Sequence, residues 1–250
     1  HAAWSAIAGF SVTVCAGMVL LIVGAVLGGS AQIALWAAAV AIDYAGPGWL
    51  TRVRLRGLQE VAVAHFAERY ALFVIICLGE SIVAIGVGAG TAHRALTAGL
   101  VAVVSLALLT TVGMWWTYFD RLARVAEAAL RGHADPVLAA SDAYSYLHLV
   151  IVAGIIVFAA GIRLLVGHAS ATPSDAIRLS VCAGVAAYLA GTVLFGLRLR
   201  VAVNWAKTAV AATLLVVFGV GSGLAAWSLT AVIAALLALL CVIEIAHVQA

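Results

Sequence analysis

Glu80 and Ser81 stand deep in an apolar run, and His65, Glu68 and Arg69 open the same run. Imidazole, carboxylate and guanidinium groups in one stretch can bind an ion, pass a proton or form an ion pair. Inside a membrane such groups are costly unless they face a cavity or a partner. If the run is a helix, at ~100° per residue, Arg69 and Glu80 fall within about 20° of each other, with His65 one turn earlier on the same side. A second run repeats the arrangement. Tyr144 and His148 open it, and Arg163 follows His148 by fifteen residues, as Glu80 follows His65. If the two histidines sit at equal depth, Glu80 and Arg163 do too. That predicts a buried ion pair, kept for geometry or gating rather than stability. Two plainer readings stay open. His65, Glu68 and Arg69 snorkel at the mouth of their run, and Arg163 snorkels outward from its last turn. Glu80 has a side chain too short to do the same.

Three further acids, Asp43, Asp120 and Glu244, close other apolar runs. Asp120 ends the aromatic stretch Trp115-Trp116-Thr117-Tyr118-Phe119-Asp120. Read plainly, this is an aromatic belt with a solvated acid. Read functionally, the three acids form a cytoplasmic vestibule that attracts cations. His65, His93, His133, His148, His168 and His247 lack the spacing of a ligand cluster, so no metal is expected, and a meeting of His65 and His148 with Glu68 in space is the one arrangement left open. No cofactor is expected, and no P-loop, GxSxG, HExxH or CxxCH pattern occurs. The four cysteines, Cys15, Cys77, Cys182 and Cys241, fall singly inside apolar runs and read as small apolar side chains.

The elements that carry these residues follow from composition. Hydrophobic residues make up 66% of the 250 and charged residues 9%, with a mean hydropathy of +1.20. Soluble domains carry about 25% charged residues. So little charge cannot cover a water-facing surface, but it can cover one facing lipid. The apolar runs are too long, and alternate too little, for a barrel. The expected class is all-α, a polytopic membrane helix bundle. Runs able to cross a bilayer occur near 6–28, 31–45, 61–88, 96–119, 144–166, 177–197, 205–222 and 227–247, about eight spans. Gly28-Gly29-Ser30, Gly46-Pro47-Gly48, 132–136 and Thr172-Pro173-Ser174 separate them.

Charge sets the orientation. On the side that holds His1 lie Arg52, Arg54, Arg56, Arg121, Arg124, Arg131, Arg198, Arg200 and Lys207, nine of the 13 basic residues. The opposite loops carry Arg94 and Arg178. The positive-inside rule makes the first side cytoplasmic, so both ends of this chain are expected there, in a plasma membrane. Arginines beside spans are explained by topology and anionic lipid, so the net charge of +3 implies no nucleic-acid partner. The expected surroundings are the lipid bilayer and a small solute or ion, and a homo-oligomer stays open. Glycines at Gly24/Gly28, Gly86/Gly90 and Gly219/Gly223 have the small-xxx-small spacing of closely packed helices.

An internal spacing adds to this. Asp43 and Glu244, like Trp4 and Trp205, are 201 positions apart. Residues 1–50 thus read as the last two helices of a first repeat, and 51–250 as a complete second, six-helix repeat. Both copies run in the same membrane direction, and about four spans are expected before His1.

His65 to Ser81, reading HFAERYALFVIICLGES, resembles the signature of the bacterial low temperature requirement A (LtrA) family, as do WWTYFD (115–120) and YSYLHLVIVAGII (144–156) in the same order. The resemblance implies a multi-pass bacterial inner-membrane protein. It also implies a longer parent chain that begins with a span carrying a Glu-Leu-Phe-Phe-Asp motif, which is not present here. It supplies no catalytic residues. The leading functional expectation is a transporter or channel for a small solute or ion, with a polar route along His65, Glu68, Arg69, Glu80, Ser81, Tyr144, His148 and Arg163. One alternative is a membrane-embedded enzyme for a lipid or prenyl substrate, with His65, Glu68, Tyr144 and His148 as acid–base groups. The other is a structural or regulatory membrane partner.

Overall fold

The computed structural model describes residues 2–52, 63–91, 97–169 and 171–249, which form helices and their connections with no strand. It divides into two compact units, His1–Val61 and Ala62–Ala250.

The first unit is a hairpin of α1 (Ala2–Leu27) and α2 (Gly29–Arg52). Its turn needs Gly28 and Gly29, whose φ values of 67° and 57° suit a residue without Cβ. Trp36 Nε1 on α2 donates to the Leu21 carbonyl at 3.1 Å, and the Asp43 carboxylate lies over Gly17. Gly46-Pro47-Gly48, expected to separate spans, is helical within α2. Apolar helices tolerate such residues where neighbours satisfy the freed backbone groups.

The second unit holds α3 (Val63–Thr91), α4 (Ala98–Phe119), the short α5 (Leu122–Arg131) and α6 (Pro136–Ala140), and a π-helical segment, Ser141–Leu147. Then follow α7 (His148–Val166), α8 (Asp175–Arg198), α9 (Trp205–Val220) and α10 (Ala226–Gln249). Helix α7 is central, packed on α3 and α8, while α9 lies on α8 and α10 on α4. Side-chain caps fix the starts. Thr97 accepts from the Leu100 N–H and Asn204 from the Lys207 N–H. The core is aromatic at one level, with Tyr118, Tyr144, Tyr188 and Phe195 fully buried.

Helix ends meet in alternating fashion within this unit. Arg178 at the start of α8 donates to the Phe218 carbonyl at the end of α9, while the end of α8, the start of α9 and the end of α10 border one cavity. Five described helical stretches are long and apolar enough to cross a bilayer: Ala67–Gly90, Ala98–Arg131, Leu138–Val166, Asp175–Arg198 and Ala226–Ala246. Ser11–Leu27 and Trp205–Val220 are apolar but shorter.

The shared spacing of 201 does not extend to the helix boundaries. Helix α1 has 26 residues and turns at Gly28, whereas α9 has 16 and turns over 221–225. At that spacing Gly28 corresponds to Leu229, inside α10.

Candidate functional site

The polar groups that the fold gathers lie on α4 and its neighbours, one turn from the helix end. Thr117 and Tyr118 point to opposite networks. The Tyr118 hydroxyl meets His148 Nε2 at 2.7 Å. Tyr144 stacks on the His148 ring at 5.1 Å, and Phe195 stands edge-on to it at 4.7 Å. Tyr70 of α3 completes the wall, 5.3 Å from His148, with its hydroxyl 3.1 Å from Ser145 Oγ. The π-helical turn immediately before α7, closed by His148 N–H donating to the Ala143 carbonyl, carries Tyr144 and Ser145 into this layer. Tyr118 and His148 are only 1% and 2% exposed, so their contact is closed off, while Tyr70 and Ser145 form the layer's more exposed edge.

The second network opens to a cavity. Lys207, at the third position of α9, is 4% exposed and donates from Nζ to the Thr117 carbonyl at 2.8 Å. Its ammonium lies 3.4 Å from Glu244 Oε1. The same oxygen accepts from Asn204 Nδ2 at 2.5 Å, while Asn204 Oδ1 caps α9 by accepting from the Lys207 N–H. Tyr188 of α8 supports α4 from behind, donating to the Met114 carbonyl at 2.6 Å and lying 3.1 Å from Thr117 Oγ1. Over this cluster lies a cavity of about 400 Å³, bordered by Arg121, Val125, Gly196, Val201, Trp205 and Ile243 with Asn204, Lys207 and Glu244. Beside it, Arg198 makes two hydrogen bonds to Asp142 Oδ2, at 2.7 and 3.0 Å.

Sequence expectations meet this geometry unevenly. Tyr144, His148 and Glu244 fall in the two networks. His65, Glu68 and Arg69 are exposed on α3, and His148 has Tyr70 rather than His65 beside it. The expected Glu80–Arg163 pair is not formed: both side chains are exposed, and no ion pair joins them among the described residues. Depth is the reason. The Arg163 carbonyl faces Gly88, eight residues beyond Glu80 and so about 12 Å further along α3. Orientation adds to it. The face of α3 that packs is Val74, Cys77, Leu78, Ser81, Ile85 and Gly88, and Glu80 lies ~100° from its centre. Ser81 is on that face, with Oγ fully buried and unbonded. Of the acids expected in one vestibule, Glu244 borders the cavity, Asp120 caps the end of α4, and Asp43 belongs to the first unit. Glu244 is held by Asn204 and Lys207 rather than free. Arg52 lies in α2, and Arg54, Arg56 and Arg94 lie outside the described residues.

The glycine contacts are also redistributed. A Cβ on Gly154 would sit 2.5 Å from the Tyr188 N, and one on Gly184 2.5 Å from the Phe158 N, whereas Gly86, Gly90, Gly219 and Gly223 meet nothing within 4 Å. In the sequence Lys207 counts only as a topological charge. Its one local signal was an asparagine placed to cap the apolar run that contains it.

A family model described as bacterial low temperature requirement A protein (LtrA) matches residues 2–242. An uncharacterized protein of Rhizobium meliloti (strain 1021) is 36% identical over 167 residues, covering 64% of this chain and 40% of the relative. The chain therefore spans less than half the length of that relative. No solved structure matches.

Proposed function

The chain belongs to the bacterial low temperature requirement A (LtrA) family, and from that premise and the geometry above we propose that it is part of a membrane transport protein moving a small solute or ion. Membership and the long apolar helices mark an integral membrane protein. The observation that carries the transport reading is the part-buried Lys207–Glu244–Asn204 cluster, with Lys207 itself buried, bordering the cavity. A membrane helix places a lysine and a glutamate under protein cover only at a cost in desolvation. Here the charged pair borders a space the size of a small ligand. In this reading the cavity is the cytoplasmic entrance, because Arg121, Arg198, Arg200 and Lys207 gather at that end. The enzyme reading has less support. Of its acid–base groups, Tyr144 and His148 are buried, while His65 and Glu68 lie exposed on α3 and His148 has Tyr70 beside it instead.

The test is solute entry into vesicles containing the full-length protein, followed by light scattering with choline chloride, potassium chloride, glycine or glycerol added outside. At least one solute enters faster than through protein-free vesicles, and Glu244→Gln slows it about tenfold or more by removing one charge of a buried pair. Rates equal to those of protein-free vesicles for all four solutes would sink the proposal, as would an unaffected Glu244→Gln variant.

A further inference from the structure

We propose that the cavity over Glu244 binds a small organic ammonium ion and that Lys207 releases its proton when the ion arrives, so that the site exchanges a cation for a proton; this rests on the transport reading above. The argument begins with charge. Glu244 and Cys241 on α10 and Arg121 in the turn after α4 act on Lys207, Asp120 beside Arg121 acts on Cys241, and Tyr188 of α8 acts with Glu244 and Cys241. With Cys241 and Tyr188 neutral, Asp120 and Glu244 balance Arg121 and Lys207, and the cluster carries no net charge. A further cation in this space leaves one uncompensated positive charge under cover, which a low-dielectric site disfavours strongly. Of the two resident cations, guanidinium stays protonated, whereas an ammonium can give up its proton. Lys207 is therefore the group that yields.

Geometry provides the exchange. Glu244 Oε1 holds both Lys207 and Asn204, so the carboxylate keeps the Asn204 Nδ2 contact when Lys207 turns neutral. The neutral amine can still donate to the Thr117 carbonyl, the partner it already has at 2.8 Å. In the balanced step the incoming organic cation takes the place of the lysine ammonium beside the Glu244 carboxylate. The Lys207 Nζ–H bond breaks, its electron pair stays on nitrogen as the neutral amine, and the proton leaves to water in the cavity. One positive charge enters and one leaves. Size and lining select an organic ion. About 400 Å³ far exceeds an alkali ion, and the walls carry Val125, Val201 and Ile243. Trp205, which borders the cavity, is the aromatic residue of its lining and the one available to a poorly hydrated cation.

Choline is the probe, because a quaternary ammonium carries no proton of its own. Calorimetric titration of the full-length protein in detergent, in two buffers of different ionisation enthalpy, reads the protons released. The expected result is about one proton per choline bound, falling to near zero in Lys207→Gln while choline still binds. Heat that does not depend on the buffer overturns the exchange, as does undiminished proton release in Lys207→Gln. Saturable binding of potassium chloride in place of choline overturns the ligand class. The measurement needs no flux, so it separates this proposal from the transport reading. Proton-linked binding without vesicle entry leaves the exchange standing and removes transport, and vesicle entry with buffer-independent heat does the reverse.

Discussion

Tyr118 and His148 show what a single buried polar contact does in this fold. Their 2.7 Å hydrogen bond lies among Tyr70, Tyr144 and Phe195, and both residues are buried. Tyr118→Phe removes the hydroxyl and leaves the imidazole nitrogen unpaired. The expected loss is about 1–3 kcal/mol of stability, read as a lower unfolding temperature of the purified full-length protein. Phe195→Leu removes ring contacts but no hydrogen bond, so its loss should come from packing and be additive with changes at distant sites. If Tyr118→Phe unfolds with the wild type, the bond contributes nothing. At this scale the sequence was half legible. An imidazole or carboxylate in an apolar run announces itself, and His148, Tyr144 and Glu244 were found that way. Lys207 was hidden because a cation at the head of a span has the same sequence signature whether it snorkels or is buried. The Glu80–Arg163 expectation failed because equal spacing from two histidines fixes depth only if the helices are level, and packing sets that level.

Helix pairs give the next scale. Helices α7 and α8 approach so closely that their backbones touch at Gly154 and Gly184, with Gly161 and Gly191 one heptad further along each helix. Without a hydrophobic driving force between helices in lipid, such close approach supplies dispersion contacts that bulkier residues would prevent. A methyl group on Gly154 would collide with the backbone at Tyr188, which cannot swing aside as a side chain does. Gly154→Ala is therefore expected to cost about 1–3 kcal/mol, while Gly86→Ala, which meets nothing in the described fold, stays within about 0.5 kcal/mol of wild type. Chemical unfolding of the two variants side by side checks this, and equal stabilities would refute the assignment of α7–α8 as the tight interface. The glycine pairs singled out by four-residue spacing were mostly the wrong ones. Spacing reports that two small residues share a helix face, and it does not report which helix faces them. The π-helical turn at Ser141–Leu147 was equally silent, because nothing in SDAYSYL separates an i→i−5 turn from an i→i−4 turn.

For the whole chain, composition was enough to give the class, since so few charges can only be spread over a lipid-facing helical protein. The number of spans was less legible. Helix α9 has 16 residues and reaches about 24 Å, short of a ~30 Å core, so length alone does not decide whether it crosses. The repeat expected from four residues is not matched by equal helix lengths, since α1 has 26 residues and α9 has 16, and two matched pairs leave the turn between them free to move. Orientation is the property that loop charge and structure address together. Arg121, Arg198, Arg200 and Lys207 lie at the end of the second unit where α8 finishes and α9 begins, and Arg178 lies where α8 begins. Translocating a short loop with several arginines is unfavourable, so the first end is expected in the cytoplasm. A cysteine at position 124, in the short helix α5 at that end, should then resist a membrane-impermeant maleimide in intact cells and react after the cells are opened. A cysteine at position 94, in the opposite loop by sequence, should react without opening. Labelling of Arg124→Cys but not Arg94→Cys in intact cells would invert the protein in the membrane. The cavity over Glu244 would then face outward, and the proposed exchange would draw its ammonium ion from outside the cell.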